Sequence, residues 1–214
     1  MTDITFMLTA CNRVDLLKKT LDSFFAINTY AIKRFIAHND GDDKMFRVIK
    51  EKYPQIEWTF SGKRIGYARS LDKLISMIDT EYIFSSEEDW SYYRNPGFIE
   101  KSLSIMESRP DIKQVWIRDH NDFTHPLSEQ ILINGIPVKE VTKGFLKHWN
   151  GYSWNPGLRR LSDIKRMFPN GLIEYADEID QAKHVEQFDY KAVALVESSI
   201  KHSGWNRRSI NFKP

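Results

Sequence analysis

The sequence predicts an α/β fold with a mostly parallel central sheet flanked by helices. Short apolar runs typical of buried strands alternate with segments whose apolar residues recur every three or four positions, which is the spacing of one helix face. Strand and helix in regular alternation favour right-handed crossovers, which put helices on both faces of a parallel sheet. Because ligands of such sheets bind beyond the carboxyl ends of the strands, we expect the functional residues in the turns at that edge.

The first half of the chain carries this alternation. Apolar or alternating runs predict strands at 4–10, 32–38, 56–60, 82–86 and 114–119. The segments between them carry stripes of helical spacing, the first of which consists of Val14, Leu17, Leu21 and Phe24. The turns that follow the first four strands are all polar or charged, so the pattern predicts one functional edge of the sheet.

The alternation fades after about residue 120. The dipeptide Asn134-Gly135 predicts the turn of a hairpin, and the aromatic segment 145–160 is expected to be a loop. The remaining predicted elements are helices at 161–167 and 177–188 and a strand at 191–197. The chain has no internal repeat or linker, so we predict a single domain, 1–214.

Composition excludes several classes of protein. The chain has 31 Lys and Arg against 29 Asp and Glu, a balance that argues against nucleic acid or an anionic membrane as the partner. The single cysteine, Cys11, rules out an internal disulfide and a cysteine-built zinc site. The first residues lack a basic signal-peptide region, and no apolar stretch approaches the ~20 residues of a membrane helix. We expect a soluble, cytoplasmic chain without stable membrane insertion.

Three consecutive acids follow the fourth predicted strand, in the stretch "YIFSSEEDW". Glu87, Glu88 and Asp89 would lie at the ligand edge of the sheet. Carboxylate oxygens are the ligands that Mg²⁺ and Mn²⁺ prefer, and such ions often complete their coordination with substrate phosphates. Taken alone, three acids at the end of a strand favour an ordinary solvated turn over a metal site.

A basic turn follows the third predicted strand. The stretch "SGKRIGYARS" puts Lys63, Arg64 and Arg69 around Gly66, where a helix is expected to begin. Arginine forks and the N–H groups of a helix N-terminus together favour a diphosphate. The alternative is a solvated basic loop.

Two further turns carry polar residues at the same edge. Asp40, in "HNDGDD", follows the second strand, where its carboxylate could accept hydrogen bonds from a base or a ribose; an Asx turn is the alternative. Asn12 and Arg13, in "TACNR", follow the first strand. Asn12 could instead cap the following helix.

The segments "ITFMLTACNRVDLLKKTLDSF", "NDGDD", "GYARSLDKLI" and "YIFSSEEDW", in this order, resemble the motif series of family-2-like glycosyltransferases with the GT-A fold. The likeness is to small soluble members, such as those of bacterial surface-polysaccharide pathways or large DNA viruses. Glu87 replaces the first Asp of the family's D-x-D motif, and Ser70 stands where the family commonly has Asn. The resemblance covers the first half of the chain well and the second half loosely.

The resemblance implies an inverting transfer of sugar from a nucleotide-sugar, with a UDP-sugar as the expected donor, to a glycan, glycoprotein or other hydroxyl acceptor. Residues 1–119 would bind the donor and 120–214 the acceptor. Asp89 and His202 would hold Mn²⁺ or Mg²⁺. The positions that the resemblance assigns to the nucleotide are Thr9, Ala10, Asn12, Arg13, Asp40, Arg64, Gly66, Arg69, Glu87 and Glu88.

The second half supplies candidates for the base and the acceptor site. The stretch "GLIEYADEIDQ" resembles the family's base-carrying segment, and the base is expected at Asp177 or Glu178; acids in a first helical turn also suit the helix dipole. The stretch "WNGYSWNPG" suits a sugar-binding wall, because aromatic rings pack on the C–H faces of sugars and amides bind hydroxyls; a packed loop is the alternative. The residues of this wall are Trp149, Tyr152, Trp154 and Asn155.

Two other functions have some support from the residues. Sugar-nucleotidyltransferases share the parallel sheet and a diphosphate site, but they usually carry a Gly-rich basic loop after the first strand, and "TACNR" has no glycine. A nucleotide- or glycan-binding module with weak or no turnover is the second alternative. The departures at Glu87 and Ser70 are what favour it.

Overall fold

The computed structural model describes residues 1–42, 47–94, 96–122, 125–143 and 151–204. The strands of this part are β1 (Ile4–Ala10), β2 (Arg34–Asn39), β3 (Ile56–Phe60), β4 (Tyr82–Glu87), β5 (Trp90–Tyr92), β6 (Ile112–Trp116), β7 (Leu127–Ile133), β8 (Ile136–Val141), β9 (Gly157–Arg160), β10 (Lys191–Leu195) and β11 (Ile200–His202). The helices are α1 (Val14–Ile27), α2 (Arg47–Lys52), α3 (Tyr67–Ile75), α4 (Phe98–Ser108), α5 (Leu161–Met167) and α6 (Glu178–Val185). Single 3-10 turns span His120–Asp122, Leu172–Glu174 and Glu186–Phe188.

Nine of these strands form one mixed sheet in the order β3-β2-β1-β4-β9-β6-β10-β8-β7. Strands β3, β2, β1 and β4 are parallel neighbours, as are β6 and β10, whereas β9 is antiparallel to both of its neighbours. The prediction of a mostly parallel sheet flanked by helices is confirmed. Because the sheet includes strands from both 1–119 and 120–214, the two predicted halves share one core.

The prediction of a loop over 145–160 is wrong for its last four residues. Residues Gly157–Arg160 form β9, which pairs with β4 on one side and β6 on the other. A Cβ added to Gly157 would lie 2.3 Å from the backbone oxygen of Val115, so a glycine is needed for this close approach. A four-residue strand with one apolar side chain between glycine and two arginines shows no alternation, and sequence periodicity therefore missed it.

The core lies in two layers, one on each face of the sheet. Along β1 the residues Ile4, Phe6 and Leu8 pack in one cluster together with Phe24 of α1. Met7 points to the opposite face, in a second cluster that includes residues of α3, α5 and α6. Successive side chains of a strand point to opposite faces, so a strand that is apolar at most positions is buried on both sides, as the sequence predicted.

The carboxyl ends of β1, β2 and β4 lie side by side, because Thr9 pairs with both His38 and Glu87. A two-stranded ribbon adds the end of the described chain to this edge, since β11 pairs with β5 and sets His202 opposite Trp90. The predicted hairpin turn at Asn134-Gly135 joins β7 and β8, with positive φ at both residues. No described helix is long and apolar enough to cross a membrane.

Candidate active site

A cavity of about 610 Å³ opens at the carboxyl edge of the parallel strands. Its wall is built from the turns after β1, β2 and β4, the start of α3, and the segment that leads into α6. The predicted site residues that it brings together are Thr9, Ala10, Arg13, Asp40, Arg64, Gly66, Arg69, Glu87, Glu88, Asp177 and Glu178. The described residues Asn12, Asp89, His202, Tyr152, Trp154 and Asn155 were also predicted but lie outside this wall, and Trp149 falls outside the described residues.

Asp40 ties the turn after β2 to the start of α3. Its Oδ1 accepts a hydrogen bond from the backbone N–H of Ile65 at 2.6 Å, and its Oδ2 accepts one from that of Gly66 at 3.0 Å. Ser61 donates a further hydrogen bond to Oδ1. A carboxylate can accept about four hydrogen bonds, so Oδ2 keeps acceptor capacity toward the cavity.

Asn12 shapes the first turn and does not cap α1. Its φ is 59°, and its side-chain oxygen accepts a hydrogen bond from Asn39, whose own side-chain oxygen accepts the N–H of Asn12. The N-terminus of α1 has no side-chain cap. A Cβ on Gly41 would lie 2.2 Å from the Asn12 side chain, which explains the glycine of "NDGDD".

Arg13 joins two of the three consecutive acids. Its Nε lies 2.5 Å from Glu88 Oε1 and its Nη1 lies 2.8 Å from Asp89 Oδ2. Burial raises the pKa of Glu88 to about 7, although the Arg13 charge acts in the opposite direction. Arg13 therefore compensates buried carboxylates that would otherwise be costly to ionise.

Asp89 and His202 converge on one point. His202 Nε2 lies 3.3 Å from Asp89 Oδ2, and a Cβ on Gly204 would lie 2.5 Å from the same oxygen. Burial would raise the pKa of Asp89, but the hydrogen bond from His202 and the charge of Arg13 outweigh it and lower the pKa. Asp89 thus presents an ionised carboxylate oxygen with an imidazole beside it.

Among the described residues, no group of three or more His, Cys, Asp or Glu is arranged to hold a metal ion. The pair Asp89 and His202 nevertheless offers one carboxylate and one imidazole. Mg²⁺ and related ions are commonly held by one or two protein carboxylates plus substrate phosphates. The donor set therefore fits a cation that is completed by a bound diphosphate.

Glu87 forms part of the cavity wall as a half-buried carboxylate. Its Oε1 accepts a hydrogen bond from the Tyr67 hydroxyl at 2.9 Å, and its Oε2 accepts one from Trp90 Nε1 at 3.2 Å. Burial, with the nearby charges of Asp89 and Glu178, raises its pKa to about 8. Tyr67 was not among the predicted residues; its place in the first turn of α3 was the available signal.

The two candidate bases differ in their surroundings. Asp177 is exposed and caps α6, because its Oδ1 accepts the backbone N–H of Asp180 at 2.9 Å. Glu178 is half-buried, and its Oε1 accepts the backbone N–H of Trp154 at 2.8 Å. Burial raises the pKa of Glu178, while hydrogen bonds from residues 153 and 154 and the charge of Arg159 moderate the shift.

Tyr152 and Trp154, which were predicted to belong to a sugar-binding wall, are packed residues that are only 3% and 2% exposed. The Tyr152 hydroxyl and Trp154 Nε1 both donate to Gln181 Oε1, at 2.7 and 2.9 Å. Arg159 stacks over the Trp154 ring, 4.6 Å from its centroid. The packed-loop alternative describes these two residues, and their hydrogen bonds to Gln181 tie the loop to α6.

The comparisons with known proteins agree with this geometry. A family model described as Glycosyl transferase family 2 matches residues 5–168, well over half of the chain. The chain belongs to that family. The resemblance on which the sequence analysis rested is therefore confirmed, and the chain is assigned to a family of glycosyltransferases. Glu178 and His202 lie beyond the matched segment of this family 2 chain.

Solved structures show the same fold as this family 2 chain. Residues 1–349 of TarS from S. aureus superpose with a TM-score of 0.67 at 11% identity, covering 95% of this chain and 61% of that one. The mannosyltransferase PcManGT from Pyrobaculum calidifontis, in complex with GDP-Man and Mn²⁺, gives a TM-score of 0.65 at 13% identity, with 95% and 57% covered. TarS 1–349 in complex with UDP-GlcNAc gives a TM-score of 0.64 at 12% identity, covering 94% of this chain and 58% of that one. The family 2 chain thus spans about six-tenths of these structures. Comparison with curated proteins by sequence gives no match.

Proposed function

We propose that this family 2 chain is a metal-dependent, inverting glycosyltransferase. It transfers a sugar from a nucleotide-sugar, best a UDP-sugar, to a hydroxyl of a glycan, glycoprotein or other acceptor. One observation carries the proposal: a single cavity is lined by arginines, by the start of α3 and by the carboxylate of Glu178. This arrangement suits a diphosphate leaving group on one side and a proton acceptor on the other.

The donor is assigned to the edge formed by the first three turns. The nucleoside is assigned to the space beside the backbone of Thr9 and Ala10 and the side chains of Asp40 and Arg13. Arg64 and Arg69 line the same cavity beside the start of α3, and guanidinium forks and helix N–H groups bind phosphates well. TarS in complex with UDP-GlcNAc, a structure of the same fold, supports UDP as the nucleotide.

Glu178 is assigned as the base in preference to Asp177. Both acids line the cavity and each has one oxygen held by a backbone N–H, but Asp177 is exposed, whereas Glu178 is half-buried and burial raises its pKa, which suits a general base. In the reaction, Glu178 takes the proton of the acceptor hydroxyl. The acceptor oxygen forms a bond to the anomeric carbon as the bond from that carbon to the diphosphate oxygen breaks, so a single displacement inverts the configuration.

Asp89 and His202 would hold Mn²⁺ or Mg²⁺ together with the donor phosphates. The ion, when bound, neutralises the charge that develops on the departing nucleoside diphosphate. Arg13 contacts the same Asp89 oxygen, so its positive charge compensates the carboxylates when no cation is bound. The complex of PcManGT with GDP-Man and Mn²⁺ supports a divalent ion in this fold.

A screen of UDP-, GDP- and dTDP-sugars tests the proposal. We expect one donor class to raise the melting temperature and to be hydrolysed slowly in the presence of Mn²⁺, with water in place of the acceptor. Chelation should abolish that hydrolysis. Tight UDP binding by calorimetry without hydrolysis of any donor would favour the non-catalytic binding module, and pyrophosphate release from a nucleoside triphosphate and a sugar phosphate would favour a nucleotidyltransferase.

A further inference from the structure

Asp72, on α3, binds the backbone of a segment one hundred residues further along the chain. Its Oδ1 accepts a hydrogen bond from the N–H of Leu172 at 2.7 Å, and its Oδ2 accepts one from the N–H of Ile173 at 3.1 Å. These N–H groups belong to the start of the 3-10 turn Leu172–Glu174, where no partner exists within the turn. A carboxylate is well suited to this position, because its two oxygens satisfy both donors.

The two segments that Asp72 joins both contribute residues to the wall of the cavity. The first turn of α3 contributes Tyr67 and Arg69 to the wall that is assigned to the donor. The 3-10 turn contributes Ile173, and the chain continues directly to Glu178. The carboxylate of Asp72 is therefore a polar connection between the donor wall and the wall that carries the proposed base.

Gly171 is part of the same contact. Its φ is 88°, and a Cβ at this position would lie 2.9 Å from Asp72 Oδ2. The glycine thus permits both the backbone conformation and the close approach of the carboxylate. Leu172 is fully buried among apolar residues of α3 and α5, so apolar packing holds the turn against α3 while the carboxylate fixes its backbone orientation.

We propose that Asp72 is a positioning residue, which fixes the segment 171–178 against α3 and thereby sets the distance between Glu178 and the bound donor. This inference rests on the proposed function for its catalytic consequence. The claim that Asp72 fixes the segment 171–178 does not depend on the proposed function. The residue does not line the cavity, so it acts through the backbone of Leu172 and Ile173 and has no contact with the donor of its own.

The variant Asp72→Asn tests the inference, because it keeps the volume and removes the charge and one acceptor. We expect faster hydrogen exchange in the peptide that covers 172–178. We expect the kcat for hydrolysis of the best UDP-sugar to fall roughly 10- to 100-fold, since a displacement of about 1 Å at a reacting group can cost ~10². The Kd for UDP, measured by calorimetry, should stay within about twofold.

Gly171→Ala disturbs the contact between Asp72 and the backbone of Leu172 and Ile173 by a change in the 171–173 segment. It should also give faster exchange in 172–178 and a lower kcat. Asp79→Asn, in the exposed loop after α3, is the matched control for charge. Gly135→Ala is the control for positive φ, because nothing lies within 4 Å of its Cβ position. Both controls should leave exchange in 172–178 and hydrolysis unchanged. Melting temperatures show which variants are folded. The test can be made with either Asp72→Asn or Gly171→Ala, provided that the variant is folded.

Unchanged exchange in 172–178, or an unchanged kcat in an active enzyme, would overturn the inference. A loss of activity that is matched by a loss of UDP affinity would also overturn it, because Asp72 would then act on the donor. A wild-type chain that hydrolyses no nucleotide-sugar would instead overturn the proposed function. In that case the exchange result still decides whether Asp72 fixes the segment.

Discussion

Arg13 Nη1 lies 2.8 Å from Asp89 Oδ2, the same carboxylate oxygen that His202 Nε2 approaches at 3.3 Å. A cation that binds this oxygen therefore competes with the guanidinium of Arg13. The guanidinium also holds Glu88, so it can keep one partner when it releases the other. This contact makes Asp89 the residue on which the metal proposal depends most.

Asp89→Asn should weaken the binding of Mn²⁺ to the complex with UDP. Replacing an outer-shell partner of a metal site commonly costs roughly 10- to 100-fold in affinity, and loss of a direct ligand should cost at least as much. Titration of Mn²⁺ by calorimetry in the presence of UDP measures the effect, and Asp79→Asn serves as the control. Equal Mn²⁺ affinity in Asp89→Asn and wild type would contradict the assignment of the metal ligand.

Arg64→Ala should reduce the affinity for UDP, whereas Lys63→Ala should not. Arg64 lines the cavity; its neighbour Lys63 is exposed and does not line it. A charge-assisted hydrogen bond contributes about 1.5–3 kcal/mol, so the Kd should rise roughly 10- to 100-fold for Arg64→Ala. Calorimetry at two salt concentrations should also show a weaker salt dependence in this variant. Similar losses in the two variants would indicate only a general effect of positive charge.

Glu178→Gln should abolish most turnover without destabilising the fold. General base catalysis contributes ~10²–10⁴ in rate, and the amide oxygen of Gln can still accept the N–H of Trp154. Burial raises the pKa of Glu178 in the folded chain, so the wild type loses stability as the pH rises through that pKa, and the variant does not. Melting curves should therefore show the variant at least as stable as wild type at pH 8. The difference in melting temperature between variant and wild type should be smaller at low pH.

The wild-type rate should fall on the acid side, because a protonated Glu178 cannot accept the acceptor proton. The raised pKa moves this decline to a higher pH than for an ordinary glutamate. A pH profile of kcat for donor hydrolysis checks it. Glu178→Gln retaining the wild-type rate, or Asp177→Asn losing as much, would move the base assignment away from Glu178.

The stability of the fold should fall as the pH drops from about 6.5 toward 4, in part because of His38. This residue is fully buried on β2, with Nδ1 2.8 Å from the Thr59 hydroxyl. Burial and the charge of Lys73 lower its pKa to about 4, so the unfolded chain binds the proton first and unfolding becomes more favourable with acid. Denaturant unfolding at pH 7.5 and at pH 5 measures the free energy of unfolding. The difference between the two pH values should be smaller for His38→Gln than for wild type. An equal difference would show that His38 is not responsible.

Gly157→Ala should be strongly destabilising, because the added Cβ would lie 2.3 Å from the backbone oxygen of Val115 in the neighbouring strand. Overpacking of this kind costs about 1–3 kcal/mol, and more where backbone has to move. Gly135→Ala is the matched control, since its only cost comes from the positive φ. Thermal unfolding of the two variants checks the difference.

Much of the fold was predictable from local pattern. The strands at 4–10 and 56–60 and the helix at 161–167 were predicted with the observed bounds, because their apolar spacing is a local property. The acids of "YIFSSEEDW" and the arginines of "SGKRIGYARS" were assigned to one edge because parallel strands share their carboxyl ends. The structure brings Glu87, Glu88, Arg64 and Arg69 to one cavity.

The remaining features depend on contacts between segments far apart in the chain. Periodicity gave no signal for β9, whose position between β4 and β6 follows from the fit of Gly157 against Val115. The burial of Tyr152 and Trp154 was equally hidden, because an aromatic residue suits a core and a binding wall alike. Gln181, which ties both rings to α6, carries no signal of its own in the sequence.

The sequence by itself determined the α/β class, the order of the motifs, the family and the edge at which the site lies, since each follows from residue type and spacing. Only the tertiary structure decided how far each of the two candidate bases is exposed. It left Asp177 exposed as the cap of α6 and Glu178 half-buried, although the two are adjacent in the chain and both line the cavity. It also showed that Asp72 reaches the backbone of Leu172. Burial and hydrogen-bond partners come from packing between distant segments, which residue type and spacing do not encode.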